Sequence, residues 1–348
     1  MSGRVWFWNR EGADTDLYSF TGWRWVMVVA ALLGLVWSSI IPPMKAWDEA
    51  DHTRRAWFLV DGQWMLRSQS CFEEGPECRN GRTMSGGDIN AGLQRYIEIW
   101  ERQNGAQLTQ TRPVENTARS VRWDAEHVFA GAPGTAYYFP LIYTPQAVGL
   151  ALGRLLRLKV QHSYYLARFV TLASTILVLA LSFAIFAPTP ITLALLMLPM
   201  SLFQAVSAGL DPFSSALAIL ALSCFMRLMV NRAAPDVTLY VLMCASVFLV
   251  ATSRAHLITM LLFLFVTAWK TGKRYFWFGA MLTTVAIAWW MWMAIPSAVD
   301  FRLQRAHSTG QIVQLYLSNP GELLSVLYRN FSDANALQGS EQVNLVVR

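Results

Sequence analysis

The sequence predicts an all-α integral membrane protein of about seven transmembrane helices with a large first external loop. Three observations predict it. The 348 residues are 54% hydrophobic but only 14% charged, whereas ordinary soluble domains carry about 25% charged residues. Several uncharged runs reach the roughly 17–25 residues that a hydrocarbon core requires. The basic loops between those runs, Arg227/Arg232 and Lys270/Lys273/Arg274, fall on one side once the runs are threaded as spans. The formal net charge of +6 is modest, and no dense basic patch with interleaved aromatics appears, so composition points to a bilayer as partner and away from nucleic acid.

Residues 1–24 are short and polar, with Arg4, Arg10 and Arg24, and read as a cytoplasmic N-terminus. The first transmembrane helix, residues 25–41, is the 17-residue uncharged run Trp25 to Ile41. No small-residue cleavage site follows it, so it reads as an uncleaved anchor. Pro42-Pro43 stops it, because proline lacks the amide and clashes with the preceding turn. Residues 42–163 then form an external lobe. Acids and bases nearly balance there, and the segment is too long and too rich in Trp, Tyr and Ile to be a linker. Within it, a helical patch is predicted near Ala91–Trp100. Ser85-Gly86-Gly87-Asp88 reads as a turn. Residues 138–158 carry Pro140, Pro145 and Arg154 and read as an amphipathic helix lying on the membrane surface.

Residues 164–296 form a six-helix region, with spans at Tyr164–Ala187, Ile191–Gly209, Pro212–Val230, Val237–Ser253, Ala255–Trp269 and Phe276–Pro296. With the N-terminus in the cytoplasm, Arg227, Arg232, Lys270, Lys273 and Arg274 fall inside, while Asp211 and Arg254 fall outside, as the positive-inside rule asks. Residues 297–348 are an external tail. They hold an amphipathic stretch, Ile312–Tyr328, interrupted at Asn319-Pro320-Gly321. Cys224 and Cys244 lie in apolar runs and read as core. Cys71 and Cys78 stand in a polar loop where a disulfide is plausible in an oxidising compartment.

The stretch with most chemistry follows the first span: Asp48-Glu49-Ala50-Asp51-His52. Ionisable groups at a membrane boundary are functional candidates by default. On a helix, Asp48 and His52 are four apart and Glu49 and His52 three apart, which puts them on one face. The competing reading is a capped interfacial helix with Asp48 as N-cap. The threading brings Asp211 and Arg254 to the same membrane face. Asp211-Pro212 is also a good helix start, and Arg254 either marks a hairpin corner or holds a phosphate through its guanidinium fork. A carboxylate at such a face can accept a proton from a hydroxyl or hold a divalent cation beside a phosphate.

These residues resemble a known family. Asp48-Glu49-x-x-His52 with Arg55-Ala56 and Gly62, then Pro140-Leu141-Ile142-Tyr143-Thr144-Pro145 with Gly149, Gly153 and Arg154, then Tyr165-Leu166-Ala167-Arg168, then Leu198-Pro199-Met200-Ser201 running on to Asp211, are similar to successive blocks of the bacterial membrane family called domain of unknown function 2142. That family in turn resembles the C-fold glycosyltransferases, which use polyprenyl-phosphate-linked sugars outside the membrane. The resemblance implies a bacterial inner-membrane protein of the cell envelope with Asp48 or Glu49 as base or metal-side acid, His52, Tyr143, Asp211 and Arg254 as substrate-binding residues, and a polyprenyl-phosphate sugar donor. A lysine is expected near Arg254 and a small residue at Asp51, and this sequence departs from both; it also stops where C-fold enzymes continue through further helices, so the resemblance implies either a truncated chain or an inactive relative. The alternative is a non-catalytic lipid-carrier-binding or accessory protein of a polysaccharide export system.

Overall fold

In a computed structural model, residues 22–46, 48–70, 83–102, 111–230, 236–298 and 309–334 are described. The chain divides into two units, residues 1–300 and 301–348. In the first unit, α1 (Trp23–Ile40) is an 18-residue apolar helix with only Met27, Ala30 and Gly34 buried. Its exposed Val28, Val29, Leu32, Val36 and Ile40 would be untenable in water as a continuous face and are at home against lipid. Pro42 follows the C-cap residue Ile41, whose extended backbone ends the helix.

The lobe comes next. It comprises α2 (Glu49–Val60), β1 (Arg67–Ser70), β2 (Thr83–Asn90), α3 (Ala91–Glu101), α4 (Thr111–Ser120) and β3 (His127–Gly131), closed by 3-10 turns at Pro133–Thr135 and Pro140–Tyr143. The strands form one antiparallel sheet in the order β1-β2-β3, with Arg67 opposite Gly86 and Gly86 opposite Gly131. This small sheet in an otherwise helical membrane protein is what the sequence reading missed. Ser85-Gly86-Gly87-Asp88 is the middle of β2 rather than a turn. Gly86 and Gly87 are there for space: a Cβ on Gly86 would stand 2.1 Å from the carbonyl oxygen of Ala130, and one on Gly87 would stand 2.9 Å from the Phe58 ring. Helix α3 falls where the helical patch is predicted, and Asn90 caps it by accepting from the amides of Gly92 and Leu93 at 3.1 and 3.4 Å. Trp57 stacks on Trp123 at 4.9 Å between centroids and anchors a core with Leu93, Tyr96 and Ile97. Cys71 and Cys78 lie outside the described residues.

The helical region follows: α5 (Thr144–Leu155), α6 (Val160–Ile185), α7 (Pro190–Leu196), α8 (Pro199–Ala205), α9 (Asp211–Val230), α10 (Val237–Ser253), α11 (Leu261–Thr271) and α12 (Arg274–Ala294). With its 12 residues, α5 is only about 18 Å long. It doubles back along the start of α6, with Gly149 against the Ala167 backbone and Gly153 against Ser163, where added Cβ atoms would approach to 2.3 Å. Among the described residues, four helices are long and apolar enough to cross a membrane: α1, α6, α9 and the segment Arg274–Ser297. Val237–Ser253 and Ala255–Thr271 are shorter apolar helices. The predicted span at 191–209 is two seven-residue helices, α7 and α8, each about 10 Å long. Pro199 cannot continue α7 because it offers no amide to the ladder.

The ends of these helices sort into two sets. Near the lobe, the Ser85 hydroxyl reaches the carbonyl of Ser297 at the end of α12, and Trp290 Nε1 donates to the Tyr137 carbonyl at 2.9 Å. At the other end, Lys270 on α11 donates to the Met229 carbonyl at the end of α9, and the Tyr240 hydroxyl of α10 donates to the Phe276 carbonyl of α12 at 2.6 Å. Arg227, Lys270, Lys273 and Arg274 therefore belong to the end away from the lobe, while Asp211 and Arg254 belong to the lobe end; Arg232 lies outside the described residues. The second unit holds α13 (Thr309–Ser318) and α14 (Pro320–Ala334), separated at Asn319, whose carbonyl accepts from Glu322 N at 3.0 Å.

Candidate functional site

The corner between α1 and α2 is conformationally demanding. Met44 and Asp48 both have φ of 56°, a left-handed conformation that costs a non-glycine residue about 1–2 kcal/mol. The next residue compensates. Glu49 is buried, and its carboxylate accepts from Tyr164 Oη at 2.5 Å, Ala208 N at 2.7 Å, Arg168 Nε and Nη2 at 3.2 Å each, and Ala46 N at 3.3 Å. Arg168 also donates to the carbonyls of Ile41 at 2.8 Å and Pro42 at 3.0 Å, so it satisfies acceptors left open where α1 stops. One ion pair thus ties together the end of α1, the start of α2, the first half of α6 and the turn after α8. Both side chains are 0% exposed.

This separates two acids that the sequence reading groups together. Glu49 has its oxygens committed inside the protein. Asp48, one residue earlier, is exposed and makes no side-chain cap bond to its own helix, so the capping role is not what holds it there. Asp51 goes elsewhere again, to Arg54 at 2.9 Å, which also grips Glu101 at 2.6 Å.

His52 lies one turn into α2 and is buried. Its Nδ1 is 2.8 Å from Tyr143 Oη, and its ring stacks on Tyr138 at 6.3 Å between centroids. Burial, reinforced by the charge of Arg254, pushes His52 down from 6.5 to about 3, so the imidazole is neutral at physiological pH. Burial also raises the Tyr143 hydroxyl well above its ordinary value, and burial together with the neighbouring Tyr137 hydroxyl raises that of Tyr138. The Tyr138 backbone is fixed from below by Arg55, which donates to the carbonyls of Trp64 at 2.7 Å, Gln63 at 3.1 Å and Tyr138 at 3.4 Å. Among the described residues no acid pairs with Arg55, and burial lowers it to about 10.

Asp211, the first residue of α9, is ion-paired with Arg254, the C-cap of α10. Both are partly exposed, at 39% and 25% of their side chains. The Arg254 charge bears on His52, Tyr138 and Tyr143, and the Asp48 charge bears on Tyr138. The structure therefore gathers Asp48, His52, Tyr143, Asp211 and Arg254 at the lobe end of the bundle, with Tyr138 among them. Among the described residues no group of three or more His, Cys, Asp or Glu side chains is placed to hold a metal, and the Asp211 carboxylate is occupied by Arg254, so a divalent cation would depend on oxygens from a substrate.

Sequence reasoning missed Tyr138, Tyr164 and Arg168 as parts of this arrangement. For Arg168 a signal existed: an arginine five residues inside a predicted span calls for a buried partner. For the tyrosines no local pattern distinguishes them from ordinary interfacial aromatics.

The sequence matches the family described as predicted membrane protein (DUF2142) over residues 31–340. The chain belongs to that family. The DUF2142 match spans α1 to the second unit, and so takes in the corner, the lobe and the bundle in one continuous stretch. Comparisons with curated proteins and with solved structures each found no match. Its membership makes this DUF2142 chain an integral membrane protein in contact with lipid; the family description itself carries no activity.

Proposed function

We propose that the protein is a membrane glycosyltransferase that uses a polyprenyl-phosphate-linked sugar in building a cell-envelope polysaccharide or glycolipid. It would sit in a bacterial inner membrane with its N-terminus cytoplasmic and its lobe outside. The observation that carries this reading is that the exposed Asp48 carboxylate, with no ion-pair partner among the described residues, and the Arg254 guanidinium both act on Tyr138 at the lobe end of the bundle. In this reading Asp48 is the general base toward the acceptor hydroxyl, and Arg254 meets the phosphate that leaves with the lipid. Glu49 holds the corner rather than acting as the base, because a carboxylate with that many donors has no lone pair turned to a substrate. Neutral His52, fixed by Tyr143, serves as an oriented hydrogen-bonding group. The basic ends of α9, α11 and α12 support the orientation, since they lie away from the lobe.

The experiment is transfer by the purified full chain from a polyprenyl-phosphate sugar, comparing wild type with Asp48→Asn. Asparagine tolerates the left-handed backbone, so the variant keeps its fold, and loss of a general base predicts a drop of about 10²-fold or more. Wild-type rates in Asp48→Asn overturn the assignment. The alternative, a lipid-carrier-binding accessory protein, is favoured by the Asp211–Arg254 pairing, which leaves little free positive charge. It predicts saturable binding of the carrier with no transfer by the wild type.

A further inference from the structure

A cleft of about 590 Å³ lies on another flank of the molecule, between the last turns of α1, helix α4 and the start of α6. It is lined differently along its length. One end is apolar, formed by Leu35, Phe169 and Leu172, of which Leu35 and Phe169 are 42% and 51% exposed. The other end is polar and basic, with Lys159, His162 and Gln161 from the α6 start and the Glu115–Arg119 pair from α4. From Lys159 to Leu172 is thirteen residues of helix, about 20 Å, or the length of a headgroup plus the upper part of its chains.

Three observations point to an anion at the polar end, and a fourth to a hydroxyl donor beside it. Glu115 and Arg119 neutralise each other, whereas Lys159 and His162 have no acidic partner among the described residues. The first intrahelical bond of α6 runs from Ser163 N to Lys159 O at 3.0 Å, so the amides of Val160, Gln161 and His162 precede the ladder at the positive end of a 26-residue helix. The N-cap Lys159 makes no side-chain bond to cover them. Finally, Gln161 is 7% exposed, lines the cleft, and has a buried Oε1 with no hydrogen-bond partner among the described residues. A buried amide oxygen left so costs about 1–3 kcal/mol, and a ligand hydroxyl would relieve it.

We propose that this cleft binds an anionic phospholipid, with the phosphate at the α6 N-terminus beside Lys159 and His162, a headgroup hydroxyl on Gln161, and the acyl chains along Leu35, Phe169 and Leu172. The site is separate from the Asp48–Arg254 face and does not depend on the reading of that face. A zwitterionic headgroup would bring its own cation against Lys159, which is the basis for discrimination.

The test is native mass spectrometry of the full chain released from nanodiscs of equimolar phosphatidylglycerol and phosphatidylcholine. Wild type should retain phosphatidylglycerol about tenfold over phosphatidylcholine, which corresponds to one or two charge-assisted hydrogen bonds. Lys159→Glu combined with His162→Glu should bring the ratio to about one, while Arg67→Ala, at an exposed lobe position paired with Asp88 and outside the cleft, should leave it unchanged. Should the charge reversals unfold the protein, Lys159→Met with Gln161→Leu supplies the same comparison. Equal retention of the two lipids by wild type, or an unchanged ratio in the cleft variants, overturns the proposal. Displacement of phosphatidylglycerol by inorganic phosphate at equal concentration also overturns it, because the site would then read a soluble anion rather than a lipid.

Discussion

The pair Glu49–Arg168 gives the sharpest prediction. In Glu49→Gln the side chain keeps its shape and loses its charge. Arg168 is then left fully buried with no carboxylate, and the amides of Ala46 and Ala208 face an amide that can satisfy only one of them well. Removing one partner of a buried ion pair costs about 3–5 kcal/mol. The second corner residue in the left-handed region also loses what holds it, since Ala46 and the α2 start are pinned by that carboxylate. The assay is equilibrium unfolding of the purified protein in mixed detergent, run as a double-mutant cycle with Arg168→Met. Glu49→Gln and Arg168→Met should each lose about 3 kcal/mol or more, and the double variant should lose less than their sum, with a coupling of about 1–3 kcal/mol. If Glu49→Gln unfolds within about 0.5 kcal/mol of wild type, or the two changes simply add, the corner is not held by this pair and Glu49 returns as a candidate for chemistry.

Three further outcomes follow from the same geometry. His52 has its pKa lowered in the folded state, so its contribution is constant above 6.5. As pH falls from there toward 3, folding stability should decline by about 1.4 kcal/mol per pH unit; His52→Gln should remove that part of the slope, and an identical slope in the variant refutes the assignment. Gly86→Ala should destabilise by about 1–3 kcal/mol, because the new methyl meets backbone oxygen rather than a side chain that can move. Gly134→Ala, with nothing within 4 Å, should stay within about 0.5 kcal/mol by the same unfolding measurement. Gly149→Val should separate α5 from α6, seen as a stability loss and as new protease sensitivity near Leu155, since its Cβ would sit 2.3 Å from the Ala167 Cα.

Much of this architecture is legible in the sequence because it follows from period and charge alone. Apolar run length identifies α1, α6, α9 and α12, and Pro42-Pro43 marks where α1 stops. The K/R count assigns the ends of α9, α11 and α12 to one side, and the contacts of Lys270 and Tyr240 bring those ends together. What fails is whatever depends on long-range contact. Gly86-Gly87 resembles a turn because glycine is ambiguous between freedom and smallness, and only the position of Ala130 and Phe58 decides for smallness. The run 191–209 is apolar enough for a span, yet Pro199 divides it, and hydropathy averages over that interruption. At the candidate site, helical spacing applies to Glu49 and His52 on α2 but not to Asp48, whose left-handed backbone stands just outside the helix, and it says nothing of which way the α1–α2 corner turns. That turn sends Glu49 inward to Arg168, 119 residues on, and leaves Asp48 exposed.

The same separation bears on how the Asp48–Arg254 face would handle an anion. Around neutral His52 stand two carboxylates, Asp48 and Asp211, and the Arg254 guanidinium, which Asp211 already engages. A lipid phosphate entering it has to compete with Asp211 for Arg254. Because that pair is partly exposed, its worth after solvent screening is about 1 kcal/mol at most, which is small enough for a phosphate to displace. Asp211→Asn should then tighten binding of a polyprenyl phosphate by up to about fivefold, whereas Arg254→Ala should weaken it by more than that, because the guanidinium proposed to meet the phosphate is gone. Fluorescence titration of the detergent-solubilised chain measures both. Weaker binding in Asp211→Asn would mean that Asp211 orients Arg254 for the ligand rather than competing with it, and the two residues would then act as one preformed clamp.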